Sequence, residues 1–197
     1  MNFGKVPRAK LPTAFGEFTV YGFRDPDSGE EAVALVAGNP GPDAAALVRI
    51  HSQCLTGDVF ASLRCDCGAQ LQAALRLISE SGAGALVYQQ QEGRGIGLIN
   101  KLHAYELQDQ GLDTVAANEQ LGFRPDQRDY RMAAEVLKHL DIRRIRLLSN
   151  NPEKVSALER EGIRVDERVP LEVASSSTAR DYLKIKKEKL GHILSKI

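Results

Sequence analysis

The spacing of apolar and polar positions along this 197-residue chain changes several times, and each change marks an element. Residues 9–23, AKLPTAFGEFTVYGF, alternate around Phe18, Val20 and Tyr21 and predict extended structure. An Asp-Pro-Asp-Ser-Gly turn at 25–29 leads into a second extended run, EAVALVAG at 31–38. The stretch AALVRIHS at 45–52 is apolar without alternation, as a strand buried on both faces would be. Leu71, Ala74, Leu75 and Ile78 then recur at helical spacing, with Gly82 as the stop.

GALVYQQQ at 84–91 predicts a further strand, which runs into the glycine-rich loop EGRGIG at 92–97. Leu98, Leu102 and Tyr105 predict one face of a helix ending at Gly111. DQRDYRMAAEVLKHL at 126–140 predicts a helix and IRRIRLLS at 142–149 a strand. NPEKVSALEREG at 151–162 is a helix with Pro in its first turn and Gly at its end, and IRVDERVPLEV at 163–173 is extended. Ser/Thr caps followed by lysines predict a terminal helix over about 176–195. Strands alternating with helices through the middle predict the α/β class with α+β character. The expected form is one domain over 1–197, a mixed β-sheet flanked by helices with a β-rich N-terminal region.

Composition narrows the partners. Lys plus Arg and Asp plus Glu are both 26, so no overall charge draws the chain to nucleic acid or an anionic membrane, and any bound polyanion needs a local basic cluster. No apolar run is long enough to span a bilayer and the first residues lack a signal-peptide pattern. These features, with three cysteines ill-suited to a disulfide framework, predict a cytoplasmic protein.

All three cysteines fall in HSQCLTGDVFASLRCDCGAQ at 51–70, as Cys54, Cys65 and Cys67. Thiolates are soft ligands that favour zinc. Three of them with no fourth nearby predict an open site of catalytic type, whereas His51 as a fourth ligand would make a closed structural one. Plain burial as small apolar residues is the alternative, and the flanking Asp58, Asp66 and Gly68 argue against it. Two stretches are candidate anion sites. One is Gly93, Arg94, Gly95 and Gly97 between a strand and a helix; the other is SNNPEK at 149–154, with Ser149 and Lys154 near a helix start. Asp126 and Arg128 are placed at the opening of a helix, where an acidic residue suits the helix dipole.

Taken together, these stretches resemble GTP cyclohydrolase II. The resemblance is carried by RIHSQCLTGDVFASLRCDCGAQL, QEGRGIGLINKLHAYELQDQGLDT, ANEQLGFRPDQRDY, LLSNNPEKV, ERVPL and KLGHIL. It implies one zinc ion per chain on Cys54, Cys65 and Cys67, with water as the fourth ligand directed at C8 of guanine. It also implies release of formate and pyrophosphate, the latter with Mg2+ on the triphosphate, as the first step of riboflavin synthesis. GTP contacts are implied at Arg49, Ile50, His51, Ser52, Gln53, Gln70, Glu92, Gly93, Arg94, Thr114, Ser149 and Lys154. Asp126 is implied as proton acceptor, Arg128 as nucleophile on the α-phosphate, and Tyr105 as a participant in ring opening. A guanidinium stays protonated, so a clamp on the phosphates is the physically easier role for Arg128. A homodimer is implied as well.

The chain departs from the family pattern where Gln53 replaces a usual glutamate, Gln90 a basic residue, Ser149 a threonine and Ile185 a threonine. These departures keep two alternatives open: a relative that stops at a partial product, and a zinc-containing guanine-nucleotide-binding protein. Another zinc purine hydrolase, such as a deaminase, lacks its H-x-E…P-C-x-x-C signature here.

Overall fold

Side chains pointing alternately to the two faces of one sheet organise the larger part of the chain. The computed structural model describes residues 1–42, 44–173, 184, 185, 187, 188 and 191–195. They form two compact units of interleaved segments: Met1–His51 with Leu71–Gln90 and Tyr130–Leu171, and Ser52–Gln70 with Gln91–Asp129 and Glu172–Ile197.

The first unit carries the strands β1 (Arg8–Thr13), β2 (Gly16–Arg24), β3 (Glu31–Ala37), β4 (Ala46–Ser52), β5 (Gly84–Gln89), β6 (Arg144–Leu148) and β7 (Arg164–Val169). Their order in the sheet is β1-β2-β3-β5-β4-β6-β7. Pairing is antiparallel from β1 through β2 and β3 to β5, and parallel from β4 through β6 to β7. The expected mixed sheet is present. Two apolar clusters explain why the central strands read as continuous apolar runs. Val48, Ile50, Ala85, Val87, Ile145 and Leu147 join one cluster, while Leu47, Leu86 and Leu148 join the other. Period-two alternation thus fills a core on each face, as sheets covered on both sides require.

Helices cover those faces. The C-terminal part of α2 (Cys67–Glu80) supplies Ala74, Leu75 and Ile78 to the second cluster, the residues whose spacing predicted it. The helices α5 (Arg131–His139) and α6 (Pro152–Arg160) supply Met132, Val136, Leu137 and Leu158 to the first. At α6, Asn151 is the cap, accepting from Glu153 N at 3.0 Å, whereas Asn150 bonds Leu171 in both directions.

The second unit contains α1 (Leu55–Asp58), the start of α2, a 3-10 turn at Glu92–Gly95, α3 (Leu98–Asp109) and α4 (Thr114–Gln120). Three expectations need correction. The helix predicted from residue 126 begins at Arg131, because the Asp126 carboxylate takes the Arg128 backbone N–H in a local turn at 3.1 Å. On α3 the stripe of Leu98, Leu102 and Tyr105 is not the buried face: Lys101 and Ala104 are buried and Leu102 is exposed. The sequence reading also left out α4, capped by Asp113, whose carboxylate accepts from Val115 N at 2.8 Å and Ala116 N at 3.1 Å. Of the terminal helix predicted over about 176–195, residues 184, 185, 187 and 188 are helical, 191–195 are not, and 176–183, 186, 189 and 190 lie outside the described residues. Among the described residues, no helix is long and apolar enough to cross a membrane.

Candidate metal centre

The candidate residues follow the C-terminal ends of three strands adjacent in the sheet: β5 leads to Glu92, β4 to Cys54 and β6 to Ser149. Beyond β4 the chain makes the single turn α1. Asp58 closes it, its backbone N–H donating to Cys54 O at 2.7 Å and its carboxylate accepting from Cys54 N at 3.0 Å. Cys67 is the first residue of α2 and Cys65 lies two residues before it.

This path brings the three sulfurs together. The Sγ atoms of Cys54, Cys65 and Cys67 all lie within 4.8 Å of one another, with Cys54 and Cys65 at 3.7 Å. A tetrahedral zinc ion with Zn–S bonds of about 2.3 Å sets its sulfurs roughly 3.8 Å apart. The spacing and the donor type therefore both fit a zinc ion held by three thiolates. Two glycines make the approach possible. A Cβ on Gly57 would stand 2.9 Å from Cys65 Sγ and 3.3 Å from Cys54 Sγ, and one on Gly68 would stand 2.2 Å from Gly57 O. His51, the possible fourth ligand, belongs to the sheet unit, where its ring stacks on Tyr88 with centroids 5.5 Å apart.

The triad is electrostatically primed. Hydrogen bonds from Cys65 and then Cys67, joined by the charge of Lys101, outweigh burial and hold the Cys54 thiol far below the ordinary thiol range. The same sharing with Cys54 pushes Cys65 up. Lys101 reaches in from α3, its Nζ donating to Glu92 Oε1 at 2.7 Å, Thr56 Oγ1 at 3.0 Å and Cys54 Sγ at 3.3 Å. Burial acts to discharge it, but the hydrogen bond to Glu92 and the Cys54 charge prevail and keep it protonated.

Glu92 is buried with each oxygen engaged. Oε1 takes Lys101 and the Gly93 N–H at 3.0 Å, and Oε2 takes the Leu55 N–H at 2.7 Å. The turn that follows has left-handed backbone at Gly93, Arg94 and Gly95, with φ of 61°, 61° and 93°. A non-glycine residue at φ 61° is held there by its surroundings. The Arg94 carbonyl accepts Gln127 N at 3.0 Å, which ties this turn to the segment carrying Asp126 and Arg128.

Tyr105 hydroxyl lies 3.5 Å from Thr56 Oγ1, and the Arg64 guanidinium sits 4.4 Å above its ring. Burial raises the phenol, with Thr56 and Lys101 opposing, so Tyr105 carries its proton at neutral pH. Gln70 donates its side-chain amide to Asp66, and Thr114 is buried at the start of α4.

Of the remaining predicted residues, Arg49, Ile50, Ser149 and Lys154 belong to the sheet unit, and Ser52 and Gln53 to the second. Arg49 Nη1 donates to Leu148 O at 2.9 Å, and Ser149 accepts Asn151 N at 3.1 Å. Lys154 is buried, with Nζ donating to Ile50 O at 2.8 Å. Ser52 and Gln53 lie on the chain between β4's buried residues and Cys54, each half-buried. Sequence reasoning missed Lys101 and Thr56. A lysine on a helix ordinarily signals solvent, and nothing in its spacing marks it as buried.

Three thiolates this close form a site of the class that could hold a soft metal ion. The model of the GTP cyclohydrolase II family matches residues 4–170. A GTP cyclohydrolase-2 of Hamiltonella defensa is 53% identical over all of both chains. One from Azotobacter vinelandii is 56% identical, over 98% of this chain and 92% of its own. A solved two-domain 3,4-dihydroxy-2-butanone 4-phosphate synthase from A. baumannii aligns with 74% of this chain and 34% of its own, at 20% identity and a TM-score of 0.42. The chain belongs to the GTP cyclohydrolase II family, and it is an enzyme of the hydrolase class.

Proposed function

We propose that the protein hydrolyses GTP, opening the imidazole ring of guanine and releasing formate and pyrophosphate. The product is 2,5-diamino-6-(5-phosphoribosylamino)pyrimidin-4(3H)-one, and the reaction is the first step of riboflavin biosynthesis. The observation that carries this reading is the thiolate triad, with Cys54 and Cys65 sulfurs 3.7 Å apart, in a chain of this family.

Cys54, Cys65 and Cys67 would hold zinc, with water in the fourth position. Zinc supplies a Lewis acid and lowers the pKa of water. The protein's own residues do the rest. The Lys101 ammonium, donating to Cys54 Sγ at 3.3 Å, favours the thiolate form that a metal ion requires. Tyr105 keeps a proton on a hydroxyl next to Thr56 and can donate it to a leaving nitrogen. Asp126, held ionised by Arg128, can accept a proton. Arg128 presents a guanidinium suited to clamp phosphate oxygens, with Mg2+ sharing the charge of the triphosphate.

In this reading GTP contacts fall at Arg49 to Gln53, Gln70, Glu92 to Arg94, Thr114, Ser149 and Lys154. Glu92 acts mainly through its three protein donors, keeping the metal loop and the glycine turn in place. Gln53 supports a second reading, a relative that stops at a partial product, because it removes a carboxylate next to the first ligand. We place the enzyme in the cytoplasm as a homodimer. Zinc-loaded protein incubated with GTP and Mg2+ tests the proposal through formate, pyrophosphate and ammonia. Equimolar formate and pyrophosphate support it. Pyrophosphate alone supports the partial reaction, ammonia a deaminase, and no product a nucleotide-binding protein.

A further inference from the structure

Lys101 is one of two buried lysines among the described residues, Lys154 being the other. It is buried on the inward face of α3, and its ammonium has three partners from three places: Glu92 in the 3-10 turn, Thr56 in α1 and the sulfur of Cys54. An ammonium has three protons to donate, and these three acceptors use them all. Burying such a group is costly unless it is paired and hydrogen-bonded, so the arrangement exists for what it holds.

What it holds is a sulfur. Three thiolates around a divalent ion carry one net negative charge, and the Lys101 ammonium, itself paired with Glu92, sets positive charge against the Cys54 sulfur. A charged hydrogen bond to a ligand sulfur also lowers the energy of its lone pairs and reduces their donation, leaving the ion a stronger Lewis acid. Glu92 keeps the ammonium in place at 2.7 Å while taking the N–H of Leu55, the residue after Cys54, at 2.7 Å. The ligand is thus gripped at its side chain and at its backbone by one ion pair.

We infer that Lys101 is a positioning residue of the metal centre, fixing the Cys54 thiolate and tuning the charge its sulfur gives to the ion. The inference rests on the triad being a metal site, and the test separates the two. Cobalt(II) is loaded into wild type, Lys101→Met, Lys101→Arg and Lys101→Gln, and the thiolate-to-cobalt charge-transfer band and the cobalt dissociation constant are measured for each.

The expected result is a band at lower energy in Lys101→Met, with cobalt bound about 10- to 100-fold more weakly. Lys101→Arg restores the wild-type band because the charge and the donors return. Should the apolar variant fail to fold by circular dichroism, Lys101→Gln, which keeps a donor without the charge, carries the comparison through a smaller shift in the same direction. A wild-type band left unmoved by loss of the lysine overturns this inference alone. A wild type with no thiolate-to-cobalt band overturns the metal reading and this inference with it.

Discussion

Arg128 grips Asp126 from two directions: its Nε lies 2.9 Å from Asp126 Oδ1, and its own backbone N–H lies 3.1 Å from the same oxygen. The guanidinium Nη2 adds a bond to Oδ2. The proton acceptor and phosphate clamp of the proposed reaction are therefore one unit, and their effects on turnover should not add. Asp126→Asn and Arg128→Gln should each lower turnover of GTP about 100-fold or more. The double variant should be little worse than the poorer single one, as steady-state release of formate and pyrophosphate will show.

The same pair gives a pH dependence of stability. Burial pushes the Asp126 carboxyl up, but the hydrogen bond and charge of Arg128 prevail and hold it below the usual aspartate range. A carboxyl with a lowered folded value binds its proton more readily when unfolded. Its contribution is complete above the unfolded pKa of about 3.9 and is lost as pH falls through the lower folded value. Urea midpoints measured from pH 7 downward should fall under pH about 4 in wild type and fall less steeply in Asp126→Asn.

Among the described residues, Glu92 is the carboxylate paired with Lys101, and both side chains are largely buried. Glu92→Gln leaves the buried ammonium with the Cys54 sulfur as its remaining anionic partner, and removing one member of a buried pair costs about 3 kcal/mol. Equilibrium urea unfolding should show that loss. Glu92→Asp, which retains the charge on a shorter arm, should recover part of it.

Gly57 is packed among the ligands, and a methyl group there would press on Cys65 Sγ at 2.9 Å and on Cys67 Cβ at 3.1 Å. Gly57→Ala should lower zinc retention about 10-fold against a competing chelator while the sheet remains folded by circular dichroism. Gly68→Ala meets backbone rather than sulfur, the Gly57 carbonyl at 2.2 Å, and should also cost about 1–3 kcal/mol of stability.

Gln53 stands where the family usually has glutamate. Gln53→Glu should leave turnover unchanged or raise it, measured by formate release. A clear drop would mark glutamine as suited to a different reaction.

The sheet and its helices were legible because their apolar spacing is driven by burial. Val48 and Leu47 fill opposite faces, and Leu75 and Ile78 recur at helical spacing. The three ligands were legible as a cluster of rare residues. On α3 the same reasoning failed. Its buried face contains Lys101, whose burial is made tolerable by Glu92, Thr56 and Cys54, all distant in sequence. Leu102, which spacing alone assigned inward, is 42% exposed. Asp126 misled in a related way: an acidic residue ahead of an apolar run resembles a helix start, but it spends its carboxylate on Arg128. For α4, the Asp113 cap and the Gly122 stop are signals present in the sequence.

Between the first two ligands the chain turns Val59, Phe60 and Leu63 outward, at 64%, 69% and 66% exposure. A loop that sends its largest apolar side chains into solvent gains little from burial, so its shape depends on local contacts such as Ser62 N to Thr56 O at 2.9 Å and Arg64 to Asp109 at 2.7 Å, and on the sulfurs at its ends. An ion bound there would take the place of a core for these residues. Loading the chain with metal would then do the work of a late folding step, one event both ordering the loop and completing the proposed site. Amide exchange in residues 55–65 should therefore slow on zinc addition while exchange in β4 and β5 stays constant.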